Sequence, residues 1–165
     1  MAVVLIALGE TGGAVMSQLR PAIERYATAR IDVNRAAHGL AGSPEYDDAI
    51  RARATYAAEA GLSFFHTHAE GVGLILFFTS TVVASVVPGR RRRGLLYLLL
   101  AVGSLFPLGY LVYGIAVLEA GRDTGIDLAE RWILSPLGSL VLAGLIGLGV
   151  ELAGAVRRVR RPSAS

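Results

Sequence analysis

GVGLILFFTSTVVASVVPG-RRRR-GLLYLLLAVGSLFPLGYLVYGIAVL, residues 71–118, decides the fold class. Gly71 to Gly89 carries no charge over 19 residues, four arginines follow, and Gly94 to Leu118 carries none over 25. Each run reaches the roughly 20 apolar residues that an α-helix needs to cross a hydrocarbon core about 30 Å thick. Working outward, Trp132 to Val150 is a third uncharged run, and Met1 to Leu19 is a fourth, interrupted only by Glu10. The N-terminal run lacks the basic n-region and small-residue cleavage site of a signal peptide, so it is read as a retained helix. The pattern predicts an all-α protein, an integral membrane four-helix bundle in one domain. Its spans cover about 1–19, 62–88, 94–118 and 132–154, with an outer connection at 20–61 and an arginine-rich tail at 155–165.

Composition agrees with that reading. Charged residues make up 18% of the chain and hydrophobic ones 53%, where a soluble domain carries about a quarter charged. The absence of cysteine excludes disulfides, thiolate catalysis, iron–sulfur clusters and Cys-ligated zinc. Every one of the 16 basic residues is arginine, and their placement gives orientation. Arg90 to Arg93 fill the link between the second and third spans, and Arg157, Arg158, Arg160 and Arg161 follow the fourth. Both clusters fall on one side, which the positive-inside rule makes cytoplasmic. Both termini are then cytoplasmic, in a bacterial-type inner membrane. The arginines read as topology signals and headgroup contacts; no nucleic-acid motif accompanies them.

In the outer connection, Pro21 to Arg30 predicts a short helix and Gly39 to Gly42 a break. Ser43-Pro44-Glu45 then makes a helix start with an N-cap hydroxyl, N1 proline and acids in the first turn. Nothing stops that helix before Gly61, so it can run into the second span, with Ile50, Ala54, Ala57 and Ala58 as an apolar face. Pro107 predicts a kink in the third span. Arg131 and Trp132 read as an interface anchor, and Pro136 as the start or a bend of the fourth span. Small-residue stripes, Gly9/Gly13/Ser17 and Ala143/Gly147, predict close helix contacts.

Three polar features call for explanation. Glu10, near the middle of the first span, costs roughly 2.5–3.5 kcal/mol to insert when charged. It is a proton, ion or cofactor group, a protonated structural carboxylic acid bonded to a neighbour, or a shallower residue of a shifted span. The second feature is FFHTHAEG, residues 64–71, at the outer end of the second span. On a helix His66 and His68 are about 200° apart and cannot chelate one ion as a pair. His66 and Glu70, at i and i+4, share a face. They could hold a metal ion if another helix adds a ligand, with Glu10 the obvious third. A b-type haem is the other cofactor, held by His66 or His68 against Met16, which counts to roughly the depth of Glu70, or by one histidine alone. The bland alternative is a pair of interfacial histidines bonded to headgroups, water or Glu70. The third feature is the hydroxyl run Thr79, Ser80, Thr81 and Ser85, read chiefly as structural bonding to its own backbone carbonyls or to a neighbouring helix, with a hydroxyl-lined pathway as the alternative.

The stretch His66 to Leu74, HTHAEGVGL, resembles the histidine-bearing helix openings of small bacterial membrane proteins of unknown function. It is similar, more distantly, to those of haem–copper oxidase catalytic subunits and related haem-binding membrane proteins. The resemblance covers about ten residues and implies that His66 or His68 is a ligand. Four spans and three histidines do not make an oxygen-reducing site. No nucleophile elbow, P-loop or zincin motif is present. The residues therefore lead first to a cofactor-binding membrane protein in electron transfer or sensing. Second comes an accessory or assembly subunit that associates with other membrane subunits or itself, and third a proton-coupled carrier using Glu10.

Overall fold

Four helical stretches are long and apolar enough to cross a membrane: Ala2–Val33, Pro44–Val86, Arg90–Ala120 and Arg122–Arg158. The structure is a computed structural model that describes residues 1–160, with side chains to residue 158. Arg161 and the Arg160 side chain, counted above in the C-terminal cluster, lie outside the described residues. In chain order the elements are α1 (Ala2–Val33), α2 (Arg35–His38), α3 (Pro44–Val86), α4 (Arg90–Gly103), α5 (Leu108–Ala120), α6 (Arg122–Ala129), a π-helical turn (Glu130–Leu134) and α7 (Ser135–Arg160). No strand occurs among the described residues.

Several boundaries differ from the sequence reading. Pro21 does not divide the first helix; α1 is continuous through it, because one proline removes a single backbone bond that flanking turns can absorb. Gly39 (φ 67°) and Gly42 (φ 88°) make the expected break in left-handed conformations open to glycine. Ser43 occupies the N-cap of α3 without a side-chain cap bond. Buried Asp47 ties down the turn before the helix, accepting from Ala41 N at 2.8 Å and Gly42 N at 3.0 Å. From Pro44, α3 runs 43 residues, about 64 Å, roughly twice the hydrocarbon thickness. Pro107 breaks the third long stretch rather than kinking it, with turns over 104–107 separating α4 from α5.

α3 is the spine. α1 pairs with it in antiparallel fashion, α5 packs on it, and α4 pairs with α7. Two apolar cores sit at its opposite ends. Away from the arginine link, Ala27 and Ile31 of α1 meet Ala54, Ala57 and Ala58 of α3 and Val117 and Leu118 of α5. Toward it, Val83 and Val87 meet Leu96, Leu100 and Leu148. Glycine permits the helix contacts, but in α7 the contact residues are Gly144 and Gly147, while Ala143 is exposed. The expected Ala143/Gly147 stripe is therefore one residue out of register at its first member. Apolar side chains such as Phe78, Leu98, Leu142 and Ile146 remain exposed.

The α1–α3 register is fixed by glycines. Ile6 lies over Gly73, Glu70 over Gly9 and His66 over Gly13, and Arg20 reaches Glu59. Ala2 thus sits beside Gly73, and α3 continues for 13 further residues toward the arginines, about 20 Å. Glu10 is level with Ala69, where centring the two expected spans on each other would have put it about 9 Å nearer the arginine end.

Candidate functional site

Between α1 and α3 lies a cleft of about 530 Å³, within the 300–1,000 Å³ of ordinary ligand sites. Its walls carry Met16, Ser17, Arg20, Ser63 and Phe64, with His66 among them. Arg20 and Glu59 face each other across it at 3.7 Å. The helix backbones approach closely at Gly9 and at Gly13, which lines the cleft. A Cβ on Gly13 would lie 2.8 Å from the His66 ring, and one on Gly9 would lie 3.0 Å from the His66 carbonyl.

One imidazole nitrogen faces two acceptors. His66 Nδ1 is 2.9 Å from the Gly9 carbonyl oxygen and 2.6 Å from Glu70 Oε1. With its hydrogen directed at Gly9 O, Nδ1 leaves the buried Oε1 without a well-aligned donor. Nε2 makes no hydrogen bond among the described residues. An Nδ1–H donated to the Gly9 carbonyl, with the Glu70 carboxylate beside it, leaves the Nε2 lone pair free, the arrangement that prepares imidazole for ligation.

His66 and Glu70 therefore meet as their spacing requires, but Glu70 turns to Nδ1 and orients the ring. Glu10 does not join them. It follows Gly9 by one residue, about 100° around α1, and is exposed beside the α1–α3 contact. Among the described residues, no three His, Asp or Glu side chains gather as a metal-holding group. The expected His66–Glu70–Glu10 trio is thus not assembled.

His68 points elsewhere, as the 200° separation demands. Its ring packs on Tyr110 (centroids 4.8 Å), Phe106 (5.7 Å) and Phe64 (6.1 Å), and Nδ1 donates to Phe64 O at 2.8 Å. It does not share the cleft with Met16, so the two cannot face each other across one haem there. Met16 does line the cleft with His66. The glycine register places Met16 opposite Ser63, seven residues and about 10 Å from the level of Glu70; equal depth is corrected to that offset.

The hydroxyl run bonds its own helix. Thr79 reaches Ile75 O at 2.7 Å, Ser80 Phe77 O at 2.8 Å and Ser85 Thr81 O at 2.9 Å. Sequence reasoning missed a polar lock at the end of the molecule far from the arginine link. Arg30 grips Glu119 with two hydrogen bonds, and Asn34 Nδ2 donates to Leu118 O and Glu119 Oε2, both at 3.1 Å. His38 Nε2 bonds Leu118 O at 3.0 Å. The partners lie 80 or more positions apart, and only the mixed charge of the two connections hinted at them.

The lock has a pH signature. Hydrogen bonding and attraction from Arg30 hold the Glu119 carboxyl below its ordinary value of 4.5. A depressed folded pKa stabilises the fold above the unfolded value and loses that contribution as pH falls through the folded one. Thermal unfolding below pH about 4.5 should therefore show a loss of stability that Glu119→Gln reduces. An identical acid profile in wild type and variant would contradict it.

Comparisons with protein-family models, curated proteins and solved structures return no match to this chain.

Proposed function

We propose that the chain is a membrane protein that binds a cofactor in the α1–α3 cleft through His66, in an electron-transfer or sensory role. The observation that carries the reading is the His66 imidazole, fixed at Nδ1 by Gly9 O and Glu70 and free at Nε2, on the wall of a cleft that also holds Met16. Of the two cofactors weighed, b-type haem fits better than a bare metal ion. A porphyrin brings four nitrogen ligands and asks one or two axial ligands of the protein, and the cleft offers His66 with Met16 as the second candidate. Arg20 at the cleft wall is a cation suited to haem carboxylates. Bound there, haem would supply one-electron chemistry; the chain's own part is to orient the ligand and exclude water.

The arginine placement supports an inner-membrane protein with the Arg90–Arg93 link and both termini on the cytoplasmic side. The cleft then lies toward the outer surface. The test is a visible spectrum with metal analysis of protein purified in detergent. A Soret band, or stoichiometric metal, is expected; their joint absence after supplementation during expression overturns the reading.

A second reading, association with another membrane subunit or a second copy, is favoured by a specific observation. Glu10 is exposed on an α1 face that it shares with exposed Val3, Ala7 and Ala14. A carboxylate at membrane depth is stabilised by a partner group. Glu10→Leu is expected to release a copurifying subunit or dissociate a homo-oligomer in mild detergent. The carrier reading gains nothing, because Glu10 is exposed rather than enclosed by helices that would form a path.

A further inference from the structure

Beyond the α1–α3 cleft, a separate concavity of about 350 Å³ opens where α2, α3 and the start of α6 converge. We propose that it binds the phosphate group of a small soluble molecule, or free phosphate. Arg53 of α3 and Arg122 and Thr124 of α6 line it, together with His38. The two guanidiniums come from elements about 70 positions apart and converge on one hollow.

Their pairing differs from that of Arg51 and Arg30 at this end. Arg51 is held by Asp32 at 2.8 Å and Asp48 at 2.9 Å, and Arg30 is locked to Glu119. Arg53 has no carboxylate within 4 Å among the described residues. Arg122 meets only Asp123, its own neighbour, at 2.7 Å, and that carboxylate is almost fully exposed. Such a neighbour pair is weak and gives way to a ligand offering several oxygens.

The start of α6 adds backbone donors at the same hollow. α6 starts at Gly121, whose φ of 84° lets it press against the Ala37 carbonyl, and no side chain caps this helix. The first backbone bond of α6 is from Gly125 N to Gly121 O, so the N–H groups of Arg122, Asp123 and Thr124 have no partner inside the helix. His38 is nine-tenths buried; its Nε2 donates to Leu118 O, so on the neutral ring Nδ1 carries the lone pair and adds no donor. Oriented donors and two guanidiniums around one volume recognise a tetrahedral oxyanion. Asp123 is the competing charge on the rim.

The level of the site favours a soluble source over a lipid headgroup. Ala54, in its wall, is eight residues beyond Leu62, where the apolar span begins, or about 12 Å along the helix.

The test measures thermal unfolding of the full chain in detergent against inorganic phosphate, glycerol phosphate, and chloride at matched ionic strength. Phosphate and glycerol phosphate are expected to raise the midpoint where chloride does not. Arg53→Gln and Arg122→Gln should each weaken the effect about tenfold in concentration, and Asp123→Asn should strengthen it. A parallel arm compares binding to vesicles of neutral lipid with vesicles containing phosphatidic acid. Equal shifts in phosphate and chloride overturn the site, and so does wild-type affinity in both arginine variants. Preferential capture by phosphatidic acid with no soluble-phosphate effect overturns the soluble source. If the arginine variants do not fold, Asp123→Asn decides alone: unchanged phosphate affinity contradicts the proposal.

Discussion

His66→Ala is expected to fold and to lose the bound cofactor, while His68→Ala keeps it. The two histidines are two residues apart, yet one lies in the α1–α3 cleft and the other stacks on Tyr110 and Phe106. His66 is the one histidine among the described residues lining the cleft, so its removal takes away the proposed nitrogen ligand. Removing the one at 68 takes away aromatic packing, worth about 0.5–1.5 kcal/mol per pair, and leaves Nε2 of His66 untouched. The difference should appear as loss of visible absorbance in one variant and a lowered unfolding temperature in the other. Glu70→Gln probes positioning rather than ligation. Loss of the carboxylate at Nδ1 is expected to cost about 10–100-fold in affinity and to raise the reduction potential, because a less basic imidazole stabilises the oxidised metal less. A purely structural Glu70 would change stability without moving the potential.

Gly103→Leu is expected to be the most damaging of the helix-contact substitutions at the arginine end. A Cβ at 103 would lie 2.5 Å from Val141 N and 3.0 Å from Leu137 O, both backbone atoms that cannot swing aside. α4 and α7 must then separate, and their separation opens the core of Leu96, Leu100 and Leu148. Overpacking of this kind costs roughly 1–3 kcal/mol, and more where a helix pair must part. Gly71→Leu and Gly149→Leu, with nothing within 4 Å of the added atom, serve as controls and should leave unfolding in detergent nearly unchanged. Equal sensitivity at all three positions would contradict the close α4–α7 approach.

The long helices were legible in the sequence because charge is excluded from their apolar runs, and periodicity put His66 and Glu70 together. Gly39 to Gly42 and the continuous run of α3 were readable for similarly local reasons. Register was not. Which residue of α1 meets which of α3 depends on Gly9, Gly13 and Gly73 accepting large side chains from the partner helix. A small-residue stripe announces a contact without saying what fits into it. For that reason Glu10 was joined to His66 and Glu70, although the register gives that contact to its neighbour Gly9. The same ignorance placed Met16 at the level of Glu70. The Arg30–Glu119 lock and the Arg53–Arg122 hollow were equally out of reach, since each joins segments that only the tertiary fold brings together.

The central claim is that His66 is a cofactor ligand in the α1–α3 cleft, and titration of the purified chain with haemin tests it most directly. The account predicts a Soret band that saturates at about one haem per chain and is absent from His66→Ala but retained by His68→Ala. Absorbance that rises without saturating, or that is the same in wild type and His66→Ala, would contradict it.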